Sequence, residues 1–139
     1  MGEMVELRTE FPQRTLVLLQ EYEGLYSETL LLNCLTGLLV LPKERGVDLS
    51  GVSLEGEPVW GLQAEFFEVR CRECGLQLCN VIRQLRNSVA HARVEAVNDG
   101  ALGRISGFIF RDSGFIANIP VEDLKVFTIS LAEYYLEGF

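Results

Sequence analysis

The stretch "FPQRTLVLLQEYEGLYS" puts apolar side chains at Leu16, Leu19 and Tyr22. That spacing, with Pro12 near its start, predicts a first helix from about Pro12 to Gly24. Ser27 is a suitable N-cap for a second helix, which carries the run "LLLNCLTGLLVL" (Leu30 to Leu41) and is expected to stop before Pro42. The segment "PKERGVDLSGVSLEGEP" is charged, aperiodic and rich in Gly and Pro, so it reads as a loop. A long third helix is expected from near Pro58 to His91 or Arg93. Its apolar positions are Phe67, Cys71, Cys74, Leu78, Val81, Ile82, Leu85 and Val89. At ~100° per residue they share an arc of about 100° and would face a core.

After "NDG" (Asn98 to Gly100), a turn signal, the pattern changes from helical to alternating. "RISGFIFRDSGFIANIP" predicts strands near Ser106–Arg111 and Phe115–Ile119, joined at Asp112-Ser113-Gly114. Pro120 opens a last helix with Val121, Leu124, Phe127, Leu131 and Tyr134 at helical spacing. No internal repeat or linker is visible. The expectation is one domain over residues 1–139: four helices with a small β-hairpin before the fourth.

Composition narrows the function classes. The chain has 139 residues, 48% of them hydrophobic, which is enough for one core and argues against disorder. Its net charge of −8 argues against a long nucleic-acid track. The charge is uneven. From Arg70 to Arg104 six arginines face three acids, a local +3, whereas the rest carries −11. A basic zone of that size suits a small anionic site. The N-terminus, MGEMVELRTE, lacks the order of a signal peptide, and Glu6 breaks the myristoylation pattern. The longest apolar run is too short to span a bilayer. A cytoplasmic protein without membrane association is the expectation.

Cys71-Arg-Glu-Cys74 resembles a zinc half-site, with Cys79, Cys34 and His91 as further candidates. Zinc wants about four ligands, and a second Cys pair is missing. Both thiols also fall on the apolar stripe of the expected third helix, where a free Cys packs as a small hydrophobe. No metal site and no disulfide are expected.

The stretch "VIRQLRNSVAHARVE" holds the chain's single histidine. On an ideal helix Arg83, Arg86, Asn87 and His91 lie opposite the apolar stripe, within about 140°. A solvated helix face accounts for such a set, and so does a histidine placed by the helix dipole at a C-terminus. Neither accounts for Leu76, Cys79 and Ala90 on the same side. Small apolar groups mixed with arginine suit a subunit contact.

"LRNSVAH" (Leu85 to His91) resembles the R-x4-H signature of the HEPN superfamily, the higher eukaryote and prokaryote nucleotide-binding domains. "ISGFIFRD" followed by "IPVEDLKVF" is similar to a plasmid-encoded branch of it. The resemblance implies an all-α fold, a four-helix up-and-down bundle with the motif on its third helix and a small β-hairpin before the last. It implies a metal-independent endoribonuclease of the kind found among toxins and phage-defence enzymes, acting as a homodimer on RNA, with a cognate antitoxin as a further partner and no cofactor. Arg86 and His91 match the catalytic pair, and Asn87 the supporting polar position; Arg83 and Arg93 are the expected substrate-binding arginines. Toxins regulated by tyrosine nucleotidylation carry a tyrosine two residues after the histidine. Here Arg93 stands there, so that regulation is not expected. Other members are catalytically silent and bind a protein partner or nucleotide, which is the alternative reading.

The residue types suit the reaction. A histidine titrating near pH ~6.5 can take or give a proton at neutral pH. An arginine fork matches phosphate oxygens. One chain supplies one histidine, so a two-fold axis beside this helix face would complete the site.

Overall fold

In a computed structural model the structure describes residues 7–21, 27–45, 52–54, 60–69, 77–98 and 105–138. The helices are α1 (Leu7–Glu21), α2 (Ser27–Arg45), α3 (Leu78–Ala90) and α4 (Val121–Gly138). The strands are β1 (Phe67–Val69), which follows a 3₁₀ turn at Ala64–Phe66, then β2 (Val94–Asn98), β3 (Ile105–Asp112) and β4 (Phe115–Pro120).

The expected all-α four-helix bundle is therefore corrected. The fold is mixed: four helices and one antiparallel four-stranded sheet, in the order β1-β4-β3-β2. The expected hairpin is its centre. β3 and β4 pair with Phe110 opposite Ala117 and Asp112 opposite Phe115, and Gly114 takes the left-handed conformation (φ 71°) that closes the turn. β4 alternates buried Phe115, Ala117 and Ile119 with exposed Ile116 and Asn118, the period-2 pattern of a sheet with one face covered. β1 extends it on one side, with Phe67 opposite Ala117, and β2 on the other, with Val94 opposite Phe110. At Gly107 the Ile119 carbonyl comes so near that a Cβ would meet it at 2.8 Å, which leaves room for no side chain.

The third helix is also shorter than expected. Phe67 lies in β1, and Gln77, just before the helix, is extended (φ −96°, ψ 143°). Gln77 pairs instead with Ser53, and the first helical amide, Leu78 N–H, donates to the Val52 carbonyl at 2.9 Å. That bond satisfies one of the donors a helix start leaves open. Cys71 and Cys74 lie outside the described residues. Of the remaining stripe Leu78, Val81, Ile82 and Leu85 are buried and Val89 is half-buried, while Ser88 joins the buried set. The Ser88 hydroxyl donates to the Gln84 carbonyl at 2.9 Å, so it can be buried at little cost. Burying Leu85 alone stabilises the fold by ~2 kcal/mol.

The chain divides into two compact units. One holds α1, α2 and α4 from Thr128 on; the other holds the sheet, α3 and α4 up to Phe127. In the first, α1 begins five residues before Pro12, which lies inside the helix. α2 runs past Pro42 to Arg45 rather than stopping before it. Proline has no N–H, so the carbonyl four residues back, that of Leu38, loses its helical partner. The buried Tyr135 hydroxyl donates to that carbonyl at 2.9 Å and replaces the missing donor. Tyr135, not Tyr134, is thus the aromatic that α4 buries at this level, one turn beyond Leu131. In the second unit Trp60 is buried with its ring tilted 54° against Phe127, centroids 6.2 Å apart.

Candidate functional site

α3 packs its apolar stripe on β3 and turns its other side outward. Arg83 is exposed there, and Arg86 and Asn87 are half-buried one turn further on. The half-buried Cys79 and the exposed Ala90 share this side. At ~100° per residue, Cys79, Arg83, Arg86 and Ala90 form one row along the helix. Arg86 and Arg83 are neighbours in that row, so their charges add on that side of the helix. Among the described residues no carboxylate lies in ion-pair range of Arg83, Arg86 or Arg93.

The helix ends in a Schellman motif. His91 is the C-cap (φ −94°, ψ 10°), and its N–H donates to the Asn87 carbonyl at 3.0 Å. Ala92 follows at φ 55°, a left-handed residue that is not glycine. Its N–H reaches the Val89 carbonyl at 3.1 Å, and the Arg93 N–H reaches that of Ser88 at 2.7 Å. These two bonds satisfy carbonyls that a helix end leaves open. They also fix how the chain leaves the helix, which holds the exposed His91 side chain at its rim.

Of the five residues singled out from sequence, the structure brings Arg83, Arg86 and Asn87 onto one helix side. His91 stands one turn beyond Asn87, at the cap. Arg93 does not share the helix face: it lies past the left-handed turn, where it is exposed and its carbonyl accepts from the Arg111 N–H at 3.0 Å.

The sequence reading missed Asp112. It ends β3, and its Oδ2 accepts a hydrogen bond from Asn87 Nδ2 at 3.2 Å. In the sequence it reads only as a turn residue, and nothing local ties it to a position 25 residues earlier. A second tie is the Arg111–Glu95 ion pair at 3.0 Å. Both partners are largely exposed, so it adds little stability.

Free cysteines include Cys34, buried in α2, and Cys79. Among the described residues no three His, Cys, Asp or Glu side chains gather in a group that could hold a metal ion. No helix among them is long and apolar enough to cross a membrane.

The family model described as HEPN pEK499 p136 matches residues 1–138, and the chain belongs to this plasmid-derived HEPN family. The superfamily comprises nucleotide-binding and ribonuclease-like domains. No curated protein and no solved structure matches the chain.

Proposed function

We propose that the protein is a metal-independent endoribonuclease in which Arg86, Asn87 and His91 form half of a site completed by a second copy of the chain. The observation that carries this reading is the placement of all three on one accessible stretch, with Arg86 on the helix face and His91 at its cap.

The chemistry uses what the chain supplies. One histidine takes the proton of the ribose 2′-hydroxyl. The 2′-oxygen attacks the adjacent phosphorus, and the bond from phosphorus to the 5′-oxygen breaks. A second proton carrier protonates that leaving oxygen, giving a 2′,3′-cyclic phosphate and a free 5′-hydroxyl. Arg86 offsets the charge that builds on the phosphoryl oxygens. Arg83, in the same row, and Arg93, beyond the cap, would hold flanking phosphates. Two-fold symmetry supplies the second carrier as the His91 of the other copy, and the Cys79–Ala90 row becomes the contact. A toxin or phage-defence role, kept in check by a cognate antitoxin, is the biological setting that fits such an enzyme.

The test is a gel of total RNA incubated with the purified protein in EDTA. Cutting by the wild type, and its loss in Arg86→Ala and His91→Ala at unchanged melting temperature, is the expected result. No cutting by the wild type across varied RNAs and pH would overturn the reading.

One observation favours a second reading, a catalytically silent HEPN dimer that binds a protein partner or nucleotide. The Asp112 carboxylate stands against Asn87, within an already acidic chain, and it opposes the approach of a phosphate. The same gel separates the two readings.

A further inference from the structure

Asn87 has a carboxamide with two different ends, and a carboxylate can only accept hydrogen bonds. The bond from Asn87 Nδ2 to Asp112 Oδ2 therefore decides which end faces which way. The amide nitrogen is turned to the hairpin. The carbonyl oxygen, Oδ1, is turned away from Asp112, and none of the described residues donates to it. An unrestrained amide on a half-buried helix face could present either end.

Asp112 is itself held in place. It closes the ladder opposite Phe115, and the preceding Arg111 donates its N–H to the Arg93 carbonyl at 3.0 Å. The hairpin end of β3 thus grips the motif segment at Asn87 and, after the cap, at Arg93. Both grips come from adjacent residues of one strand, so they hold α3's last turn in register with the sheet.

We propose that Asp112 is a positioning residue for the site: it locks the Asn87 amide so that the site offers an acceptor, and thereby selects a nucleotide that carries a hydroxyl donor. This rests on the ribonuclease reading above. An acceptor repels phosphate oxygens and attracts a donor, and the donor next to a scissile phosphate is the ribose 2′-hydroxyl. Held by Asn87 Oδ1 on binding, that hydroxyl lies beside the scissile phosphate; its one proton leaves the amide oxygen and passes to the histidine as the 2′-oxygen attacks. A deoxyribose has nothing to give. Asp112 acts through Asn87 and touches no reacting atom.

The experiment measures steady-state cleavage of an oligoribonucleotide in EDTA by wild type, Asp112→Ala, Asp112→Asn, Asn87→Ala and the double variant Asn87→Ala/Asp112→Ala, with a melting curve for each. The expected result is a fall in kcat of about 10-fold or more for Asp112→Ala with KM little changed, since misorientation harms the reacting geometry while the arginines still bind phosphate. Asp112→Asn keeps an acceptor oxygen and should retain activity within a few-fold. The double variant should be no worse than Asn87→Ala, because both changes remove one oriented amide. If Asp112→Ala does not stay folded, the Asp112→Asn and Asn87→Ala variants carry the comparison: the first active, the second impaired. A wild type that cuts no RNA overturns the inference together with the ribonuclease reading. A wild type that cuts, with Asp112→Ala as fast or with losses that multiply in the double variant, overturns the inference alone.

Discussion

Ala92 stands directly after the candidate catalytic histidine with φ 55°, a conformation that costs a side-chain-bearing residue ~1–2 kcal/mol. Two backbone hydrogen bonds hold it there, from its own N–H and from that of Arg93. Glycine would adopt the same backbone without the Cβ clash, at some cost in unfolded-chain entropy. Ala92→Gly should therefore raise the melting temperature by about 2–4 °C, a gain of ~1 kcal/mol, with the helix end unchanged. A lower melting temperature in a thermal scan would show that the left-handed cap is not what holds His91. At this scale the sequence was only half legible. "RNSVAH" names the polar set and its helical spacing. It does not reveal that His91 is a cap, that Arg93 turns off the helix face, or that Asn87 is held by Asp112. Those depend on a left-handed alanine, which no propensity favours, and on a bond between residues far apart in the chain.

Among the elements, the hairpin and α4 were legible because each is stabilised by neighbours close in sequence. The turn Asp112-Ser113-Gly114 sets the pairing of β3 and β4, and the period of Leu124, Phe127 and Leu131 sets the buried side of α4. β1 and β2 were not legible. Three residues and five residues of strand are stable only by pairing with β4 and β3, and short apolar runs fit a helix as well. α2 misled for another reason: Pro42 removes a helical donor, but the replacement comes from Tyr135 in a different helix. This bond has a measurable consequence. Tyr135→Phe leaves the Leu38 carbonyl without the hydroxyl donor and should cost ~1–3 kcal/mol at pH 7 in urea unfolding. The same hydroxyl makes the fold sensitive to alkali. Burial, with a smaller effect of the Tyr134 neighbour, pushes the Tyr135 phenol far above its ordinary range, and burial also raises the Cys34 thiol. Folded pKa values above the unfolded ones mean that stability is full below the unfolded values and is lost as pH rises. The unfolded chain ionises at Cys34 from pH ~8.5 and at Tyr135 from ~10. The urea midpoint should therefore be flat near neutrality and fall from about pH 9 upward, more gently above ~10 in Tyr135→Phe. A midpoint independent of pH up to 11 would contradict the buried placement of both groups.

For the whole molecule, the local +3 on a chain of net −8 fits one confined anionic site rather than a track along a duplex. The proposed assembly puts two copies of α3's outward row together across a two-fold axis. Light scattering at micromolar concentration should then give twice the 15.6 kDa of one chain. Ala90→Glu would set two carboxylates against each other at that axis. It should yield a folded monomer without activity; a dimer that survives this change uses another surface. The central claim is that Arg86 and His91 cut RNA without a metal ion. It is tested most directly by the single-turnover cleavage rate of a defined oligoribonucleotide in excess EDTA, for wild type and His91→Ala side by side. The account predicts cleavage to a 2′,3′-cyclic phosphate by the wild type and a rate lower by ~10²–10⁴ in His91→Ala, the range for removing a general acid or base. Equal rates for the two proteins, or an intact oligonucleotide with both, would contradict it.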